Sequence, residues 1–104
     1  MPVVVVFSTF PSLEKASEVA KALVTERLCA CVNLVPQVRS IYRWQGELQD
    51  ESETLAVIKT TDDRLGELQR RLIALHPYEV PEVLALPASG GYAAYFAWVA
   101  GETR

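Results

Sequence analysis

The sequence predicts an α+β domain in which helices cover one face of an antiparallel β-sheet. The first indication is the order of hydrophobic patterns, which alternate between strand-like and helix-like periods as β-α-β-β-α-β and end in another helical segment. The second is a pair of long extended segments joined at Gln45-Gly46, where the glycine can adopt the positive φ of a tight turn. The third is the length of 104 residues, half of them hydrophobic, which fits one core and therefore a single domain over residues 1–104.

The first strand and helix follow from residues 3–27. A compact run of β-branched residues predicts a strand over residues 3–9. Pro11 stops this strand, and Ser12 can cap a helix that runs from Leu13 to about Arg27. Apolar residues at helical spacing define its buried face: Ala16, Val19, Ala20, Leu23 and Val24.

The hairpin occupies the middle of the chain. Residues 28–44 form a long extended segment, and Pro36 within it cannot donate to a ladder, which predicts a bulge or an edge there. After the Gln45-Gly46 turn, the returning strand is expected over residues 47–60. Arms of this length far exceed the mean strand of about 5–6 residues, so the tip should overhang the domain.

The second helix is expected to begin with a cap from Thr61 or Asp62 and to carry Arg70 and Arg71 late, as the helix dipole favours. Pro77 ends it. Its buried stripe is formed by leucines: Leu65, Leu68, Leu72 and Leu75.

The last two elements complete the order. Pro81 opens a fourth strand over residues 82–87, and Gly90-Gly91 introduces a final helix. Four residues share one face of that helix: Tyr92, Tyr95, Phe96 and Val99. The complete order is the ferredoxin-like βαββαβ sandwich, with a long hairpin between the second and third strands and an extra C-terminal helix.

The strands carry apolar residues at consecutive positions, in residues 3–7, 55–58 and 83–86. A sheet with one wet face should alternate apolar and polar residues, so both faces are expected to be dry although helices cover only one. A homo-oligomer that packs the open faces together would satisfy this pattern. The alternative is that some of the runs lie at strand ends and face loops.

Charge and hydropathy exclude several classes of partner. The net charge is −3 and the sequence pI is about 5.1, which does not favour nucleic acid or an anionic membrane. The longest apolar run covers residues 3–7, far short of the roughly 20 residues that span a bilayer. We therefore expect neither a nucleic-acid nor a membrane partner.

The two cysteines, Cys29 and Cys31, are two apart in a segment that reads as a strand, so their side chains should point the same way. That geometry is poor for a disulfide between them, and reduced thiols in the cytoplasm are expected. An exposed Cys-x-Cys can bind copper, but buried filling of the core is the favoured reading of such a pair.

The hairpin combines acidic and aromatic residues. The acids Glu47, Asp50, Glu51 and Glu53 could attract hard divalent ions weakly, although surface acids are usually only solvated. Tyr42 and Trp44 share a face near the turn and could line a pocket between subunits together with Tyr78. Packing in an interface is the favoured alternative for these aromatics.

Several segments in register resemble the CutA divalent-cation tolerance proteins: residues 7–11 (FSTFP), 26–33 (ERLCACVN), 40–47 (SIYRWQGE), 58–60 (IKT) and 76–82 (HPYEVPE). The resemblance covers about residues 2–99. It implies a homotrimer of ferredoxin-like subunits similar to the nitrogen-regulatory PII proteins. It also implies a cytoplasmic setting and a response to copper and other divalent ions.

In that family, copper binding is associated with a cysteine at the end of the first strand and a His-His pair before the Pro-Tyr. Those places hold Ser8, Leu75 and His76 here, so two of the three ligands are missing. His76, the single histidine, is the one candidate metal ligand. The favoured alternative is that it terminates the second helix, because the residue before a proline often ends a helix.

No enzyme signature is present, since Gly90-Gly91 is followed by tyrosine and not by the Lys-Ser/Thr of a phosphate-binding loop. We expect a non-enzymatic trimer that responds to divalent metals, requires no cofactor and binds copper or another divalent cation weakly. The alternative is a PII-like signalling or adaptor trimer that binds a small molecule or protein at clefts between subunits. The residues expected in such a pocket are Tyr42, Trp44, Tyr78 and Glu79.

Overall fold

The computed structural model describes residues 2–104, which form one four-stranded sheet and three helices. The elements are β1 (Val3–Phe10), α1 (Leu13–Thr25), β2 (Cys31–Trp44), β3 (Glu47–Thr61), α2 (Leu65–Leu75), β4 (Leu84–Pro87) and α3 (Ala93–Glu102). The strands are ordered β2-β3-β1-β4, and all neighbouring strands are antiparallel. The predicted α+β fold with an additional C-terminal helix is confirmed.

The main core lies between the sheet and the helices α1 and α2. β1 sits between β3 and β4, and Val4, Val6 and Phe10 point from it into this core. The other buried members come from α1, the following loop, β3 and α2: Ala16, Val19, Leu23, Leu28, Cys29, Ala56, Ile58, Leu68 and Leu72. Full burial of a Val, Leu, Ile or Phe side chain stabilises the fold by about 1.5–3 kcal/mol, so these contacts hold α1 and α2 on the sheet.

Helix α1 begins as predicted and ends earlier. The Ser12 hydroxyl accepts a hydrogen bond from the backbone N–H of Lys15 at 3.1 Å, which confirms the N-cap. The helix ends at Thr25 because Arg27 adopts a left-handed φ of 58°. The N–H of Leu28 then reaches back to the carbonyl of Leu23 at 3.0 Å, which closes the helix end.

The β2–β3 hairpin contains the predicted bulge. The register shifts between Val35 and Val38, and Gln37 adopts a φ of 62° in the intervening stretch. The loss of a donor at Pro36 explains why the ladder is interrupted there. The arms are 14 and 15 residues long, and β1 pairs with β3 only as far as Thr54, so the outer part of the hairpin has no third strand beside it.

This overhang elongates the molecule, which measures 44 × 25 × 22 Å. Its radius of gyration is 14.1 Å, whereas a domain of this length is expected to have about 13 Å.

The predicted cap of α2 is wrong. Thr61 is the last residue of β3 and pairs with Val3, so the helix starts only after a turn in which the Arg64 N–H donates to the Thr61 carbonyl at 3.1 Å. Arg64 occupies the N-cap, and no side chain caps the helix. Pairing in the sheet has overridden the capping preference of Thr61.

The expected placement of cations in the last turn of α2 is also wrong, because that turn holds no basic residue. Arg71 instead donates two hydrogen bonds to Glu26 beyond the end of α1, at 2.9 and 3.0 Å. The leucine stripe is confirmed: Leu68 and Leu72 are fully buried and Leu65 and Leu75 pack partly against the core.

The fourth strand is shorter than predicted, because only Leu84–Pro87 pairs with β1. The face predicted for the last helix is partly wrong. Val99 is buried and Phe96 is half-buried, whereas Tyr92 and Tyr95 are exposed. Tyr92 is the N-cap and has extended dihedral angles, so it lies outside the helical repeat. None of the three helices within residues 2–104 has the length and apolar character needed to cross a bilayer.

The second face of the sheet is only partly covered. Val99 of α3 packs with Val3 and Ala30 at one end of it. Farther along, Val35, Leu84 and Leu86 are 45, 53 and 47 % exposed. The accessible surface of the chain is 6370 Å², compared with about 5,800 Å² expected for a monomer of this mass. The excess is consistent with an uncovered apolar face and an overhanging hairpin.

The hairpin turn gives a first testable prediction. Gln45 and Gly46 have φ of 50° and 82°, the positive values that a two-residue hairpin turn requires. Gly46→Ala is expected to lower the free energy of unfolding by about 1–2 kcal/mol, because only the backbone conformation opposes the added methyl group, which meets no atom within 4 Å. Denaturant unfolding at fixed protein concentration measures the change.

The matched control is Gly90→Ala, where a Cβ also meets nothing within 4 Å and φ is not in the positive range. That variant should be neutral or slightly more stable, since alanine reduces the entropy of the unfolded chain. An equal loss in both variants would contradict the assignment of the turn.

Candidate functional site

A cavity of about 650 Å³ opens where the hairpin leaves the body of the sheet. Residues of the hairpin line one part of it, and residues 77–82, which connect α2 to β4, line another. Thr9 contributes from the end of β1. The four residues predicted for a pocket all line this cavity within a single chain: Tyr42, Trp44, Tyr78 and Glu79.

The hairpin and the 77–82 segment bring together side chains that are distant in sequence. Tyr42 and Trp44 are two residues apart on β2, so both rings lie on the same face of the strand and line the cavity. From the other side, the corner after α2 supplies Tyr78, and Val80 adds an apolar surface. The remaining lining residues are Ser40, Ile41, Glu53, Pro77 and Glu82.

Three glutamates, Glu53, Glu79 and Glu82, line the cavity, and its lining contains no lysine, arginine or histidine. Glu53 is the most buried of them, with 7 % of its surface exposed. Its carboxylate accepts a hydrogen bond from the Tyr78 hydroxyl at 2.5 Å, and none of the ion pairs within residues 2–104 involves it. The cavity therefore carries negative charge with no cation of its own.

Both tyrosines of the cavity donate to glutamates. The Tyr42 hydroxyl donates to Glu51 on the neighbouring strand, and this hydrogen bond raises the pKa of Tyr42 to about 12. Burial and the hydrogen bond to Glu53 raise the pKa of Tyr78 as well. Both phenols are consequently neutral at physiological pH and keep their rings fixed at the cavity.

His76 lies behind this arrangement as a buried structural residue. Its Nε2 is 2.8 Å from the carbonyl oxygen of Thr9, so Nε2 carries the proton, and Nδ1 accepts the backbone N–H of Tyr78 at 3.1 Å. The imidazole stacks on Phe10 with ring centroids 4.4 Å apart. With both ring nitrogens engaged, neither is free to bind a metal in this conformation. The histidine instead joins the end of β1 to the corner that carries Tyr78.

The positions implied for copper do not form a ligand set here. Ser8 is fully buried, and its hydroxyl has no hydrogen-bond partner within residues 2–104. Leu75 packs against the main core. Within the same described residues, no three His, Cys, Asp or Glu side chains are close enough to hold a metal ion. Copper binding by His76 stays a prediction, and the hydrogen bonds of both ring nitrogens do not favour it.

The two cysteines pack in different hydrophobic clusters. β2 begins only at Cys31, so strand alternation does not relate the two side chains. Cys29 is buried in the main core, and Cys31 packs partly against the smaller cluster around Val99. Burial raises the pKa of the Cys29 thiol to about 12. Both thiols are free, and Cys29 has the environment of a core residue.

Three of the four acids predicted to cluster on the hairpin, Asp50, Glu51 and Glu53, are engaged by neighbouring side chains. The Arg39 guanidinium donates to both carboxylate oxygens of Asp50, at 2.8 and 2.6 Å, and this contact lowers the pKa of Asp50. Glu51 and Glu53 accept the two tyrosine hydroxyls. The predicted acidic cluster is thus dispersed among separate partners and does not converge on one point.

Comparison with known proteins identifies the family. The family model described as CutA1 divalent ion tolerance protein matches residues 4–102, nearly the whole chain. The chain belongs to this family. The resemblance found in the sequence motifs is confirmed, and the family is named for divalent-ion tolerance and not for an enzymatic reaction.

Individual members of the family align with this chain along nearly its full length. The divalent-cation tolerance protein CutA of Thermus thermophilus is 52% identical over 99 residues, which cover 95% of this chain and 96% of that protein. A solved structure of a Thermus thermophilus divalent cation tolerance protein superposes with a TM-score of 0.95 at 50% identity, covering 98% of this chain and 99% of the other. A chloroplastic CutA protein of Arabidopsis thaliana is 43% identical over 104 residues, and this chain spans 57% of its length.

The cavity contains residues that sequence reasoning did not place in a site. The sequence predicts Glu53 among the surface acids of the hairpin, whereas the structure buries it in a hydrogen bond with Tyr78. Thr9 and Glu82 lie at the ends of segments whose approach depends on the whole fold. The signal that was available is the clustering of the family motifs, since the segments 40–47 and 76–82 both reach the cavity.

The buried histidine generates a prediction for pH dependence. Burial lowers the pKa of His76 below its ordinary value of 6.5. Between the folded and unfolded pKa values the unfolded chain binds more protons, so the free energy of unfolding should fall as the pH drops below about 6.5, by at most about 1.4 kcal/mol per pH unit. Protonation of Nδ1 would also break its hydrogen bond with the Tyr78 backbone N–H, because both groups would then be donors.

Because the chain has one histidine, NMR titration of its imidazole in the native and urea-unfolded states measures both pKa values directly. The His76→Gln variant is the control, since it removes the imidazole titration. A native His76 pKa above the unfolded value would contradict the buried, neutral assignment.

Proposed function

We propose that this chain acts in the tolerance of divalent cations as a cytoplasmic homotrimer that catalyses no reaction. Membership of the family supports the role in tolerance, because the family and its Thermus relative carry that name. The observation that carries the proposal is the partly uncovered apolar face of the sheet. The two free cysteines support a reducing compartment.

The open face supports association with further copies of the chain. Leu84 and Leu86 project from β4 on the side opposite the main core, to which Val83 and Ala85 contribute. Val35 on β2 is exposed as well. A contiguous apolar surface of this kind is costly in water and is typical of an interface between subunits. The number of three subunits rests on the family resemblance.

Metal binding in this proposal is weak, or the effect on tolerance is indirect. Carboxylates are present at the hairpin and the cavity, but no group of three metal-binding side chains forms within residues 2–104. Zinc sites in proteins use three or four converging ligands. Weak binding of copper or another divalent cation by single carboxylates remains compatible with this geometry.

The oligomer can be tested with a pair of matched substitutions. Leu86→Glu places a charge on the open face and is expected to dissociate the assembly, because an unpaired carboxylate would be buried in the interface. Ile73→Glu is the control, since Ile73 is 46 % exposed, almost the same as Leu86 at 47 %, but lies on the helical side. Light scattering should give three times the chain mass for wild type and Ile73→Glu, and a lower mass for Leu86→Glu.

A monomeric mass for wild-type protein at micromolar concentration would exclude the oligomer. A dissociated Ile73→Glu variant would show that the helical side, and not the open face, holds the subunits together.

Metal titration tests the second part of the proposal. Calorimetry with Cu(II) and Zn(II) is expected to give dissociation constants on the order of 100 μM or weaker, because isolated carboxylates bind divalent cations loosely. His76→Ala should leave these constants unchanged, since both imidazole nitrogens already have partners.

The double variant Ser8→Cys/Leu75→His is the positive control, because it restores the ligand types that the family resemblance implies for copper. It is expected to bind copper more tightly than wild type. Tight copper binding by wild-type protein that is lost in His76→Ala would show that His76 is a ligand after all.

A second candidate function is favoured by the cavity itself. Its volume of about 650 Å³ and its mixture of aromatic, apolar and charged lining are typical of small-molecule sites. In that case the chain would be a PII-like signalling or adaptor trimer in which Tyr42, Trp44, Tyr78 and Glu79 contact a ligand. A metabolite that binds without metal and quenches tryptophan fluorescence would support this candidate.

A further inference from the structure

The cavity at the base of the hairpin contains an unusual charge arrangement. Glu53 is nine-tenths buried, and no lysine, arginine or histidine forms an ion pair with it within residues 2–104. Removal of a carboxylate from water is costly unless a cation or several donors compensate for the lost hydration. Among residues 2–104, the one side-chain donor that reaches it is the Tyr78 hydroxyl.

The two arginines of the hairpin, Arg39 and Arg43, do not line the cavity and cannot compensate for Glu53. Arg39 is fixed by two hydrogen bonds to Asp50 and has no contact with the cavity glutamates. The cavity therefore has negative charge, open space and no internal cation.

The aromatic lining indicates which chemical type of cation the cavity favours. Three aromatic rings, of Tyr42, Trp44 and Tyr78, line the cavity. The face of an aromatic ring attracts an ammonium or guanidinium group, and tryptophan does so most strongly. The hydrogen bonds from the two tyrosines to Glu51 and Glu53 hold these rings in place before any ligand arrives, which lowers the entropic cost of binding.

A bare metal ion does not fit the same surroundings. Aromatic rings and Val80 offer no metal ligands, and the carboxylates do not form a group of three that could hold an ion within residues 2–104. The cavity volume of about 650 Å³ also exceeds the roughly 200 Å³ of a single ion with six inner water molecules, and it falls in the range of sites for small organic ligands.

We propose that this cavity binds a small organic cation, with its ammonium or guanidinium group beside the Glu53 carboxylate and the Tyr42 and Tyr78 rings and its apolar part against Pro77 and Val80. The proposal rests on the second candidate function, ligand binding in this cavity, and specifies the chemical class of the ligand. Glu79 and Glu82 at the cavity add electrostatic attraction for the incoming cation.

The test uses the full chain in its native assembly and a series of probes of similar size. The probes are n-butylammonium and n-butylguanidinium chloride, with neutral 1-pentanol and anionic butyrate as controls, and zinc chloride as the metal control. The chain has two tryptophans, so Trp98→Phe leaves Trp44 as the only fluorescent indole and makes its quenching a report on the cavity. Calorimetry on wild-type protein provides the affinity independently.

The expected result is binding of both organic cations with a dissociation constant on the order of 1 mM or tighter, and at least about tenfold weaker binding of the alcohol and the carboxylate. Glu53→Gln should weaken cation binding by about tenfold or more, because it removes the charge and keeps an acceptor for Tyr78. Glu14→Gln, an exposed glutamate on α1, should leave it unchanged. Tyr42→Leu should weaken it separately through loss of a π face.

Three outcomes would overturn the proposal, and they differ in what they leave standing. Equal or tighter binding of pentanol or butyrate would refute the ligand class and leave ligand binding in the cavity intact. Zinc binding that quenches Trp44 and is lost in Glu53→Gln would make the cavity a metal site. Binding of no probe at all would refute this proposal, whereas the second candidate function would be decided by its own metabolite test.

Discussion

The central position of β1 is the constraint on which the rest of the structure depends. A strand with neighbours on both edges and apolar side chains on both faces must be covered on both faces. Helices α1 and α2 cover the first face and create the main core. The second face receives only α3, at one end, so the chain by itself leaves apolar surface in contact with water. The proposed assembly would bury this exposed apolar surface.

The same constraint explains why the cavity forms where it does. β1 ends at Phe10, but the hairpin continues beyond it, so a space opens next to the last residues of the central strand. The corner after α2 lies across this space and is tied to β1 through the hydrogen bond of His76 to the Thr9 carbonyl. His76 thus links core packing to the cavity, because the same imidazole stacks on Phe10 and accepts the N–H of Tyr78. The residue most suggestive of metal chemistry in the sequence acts as a structural connection.

Neither the positions expected for copper nor the carboxylates of the hairpin form a converging set of metal ligands within residues 2–104. Ser8 and Leu75 replace ligand types, and the carboxylates of the hairpin are distributed over arginine and tyrosine partners. Instead, three aromatic rings and a buried glutamate line the same cavity. Electrostatic attraction of a cation to a negatively charged cavity requires no coordination geometry, so the proposed role does not depend on a tight metal site.

The sequence by itself determined the order of the elements, the Ser12 cap, the bulge near Pro36, the Gln45-Gly46 turn and the family, because each depends on local backbone preferences or on short motifs. It also determined that the strands carry apolar residues on both faces. Only the tertiary structure decided the start of α2, since the pairing of Thr61 with Val3 overrides a local capping preference. The environments of Glu53 and His76 were likewise decided by tertiary structure. Both lie next to residues far away in the chain, and burial and hydrogen bonding at such contacts depend on how the segments pack together.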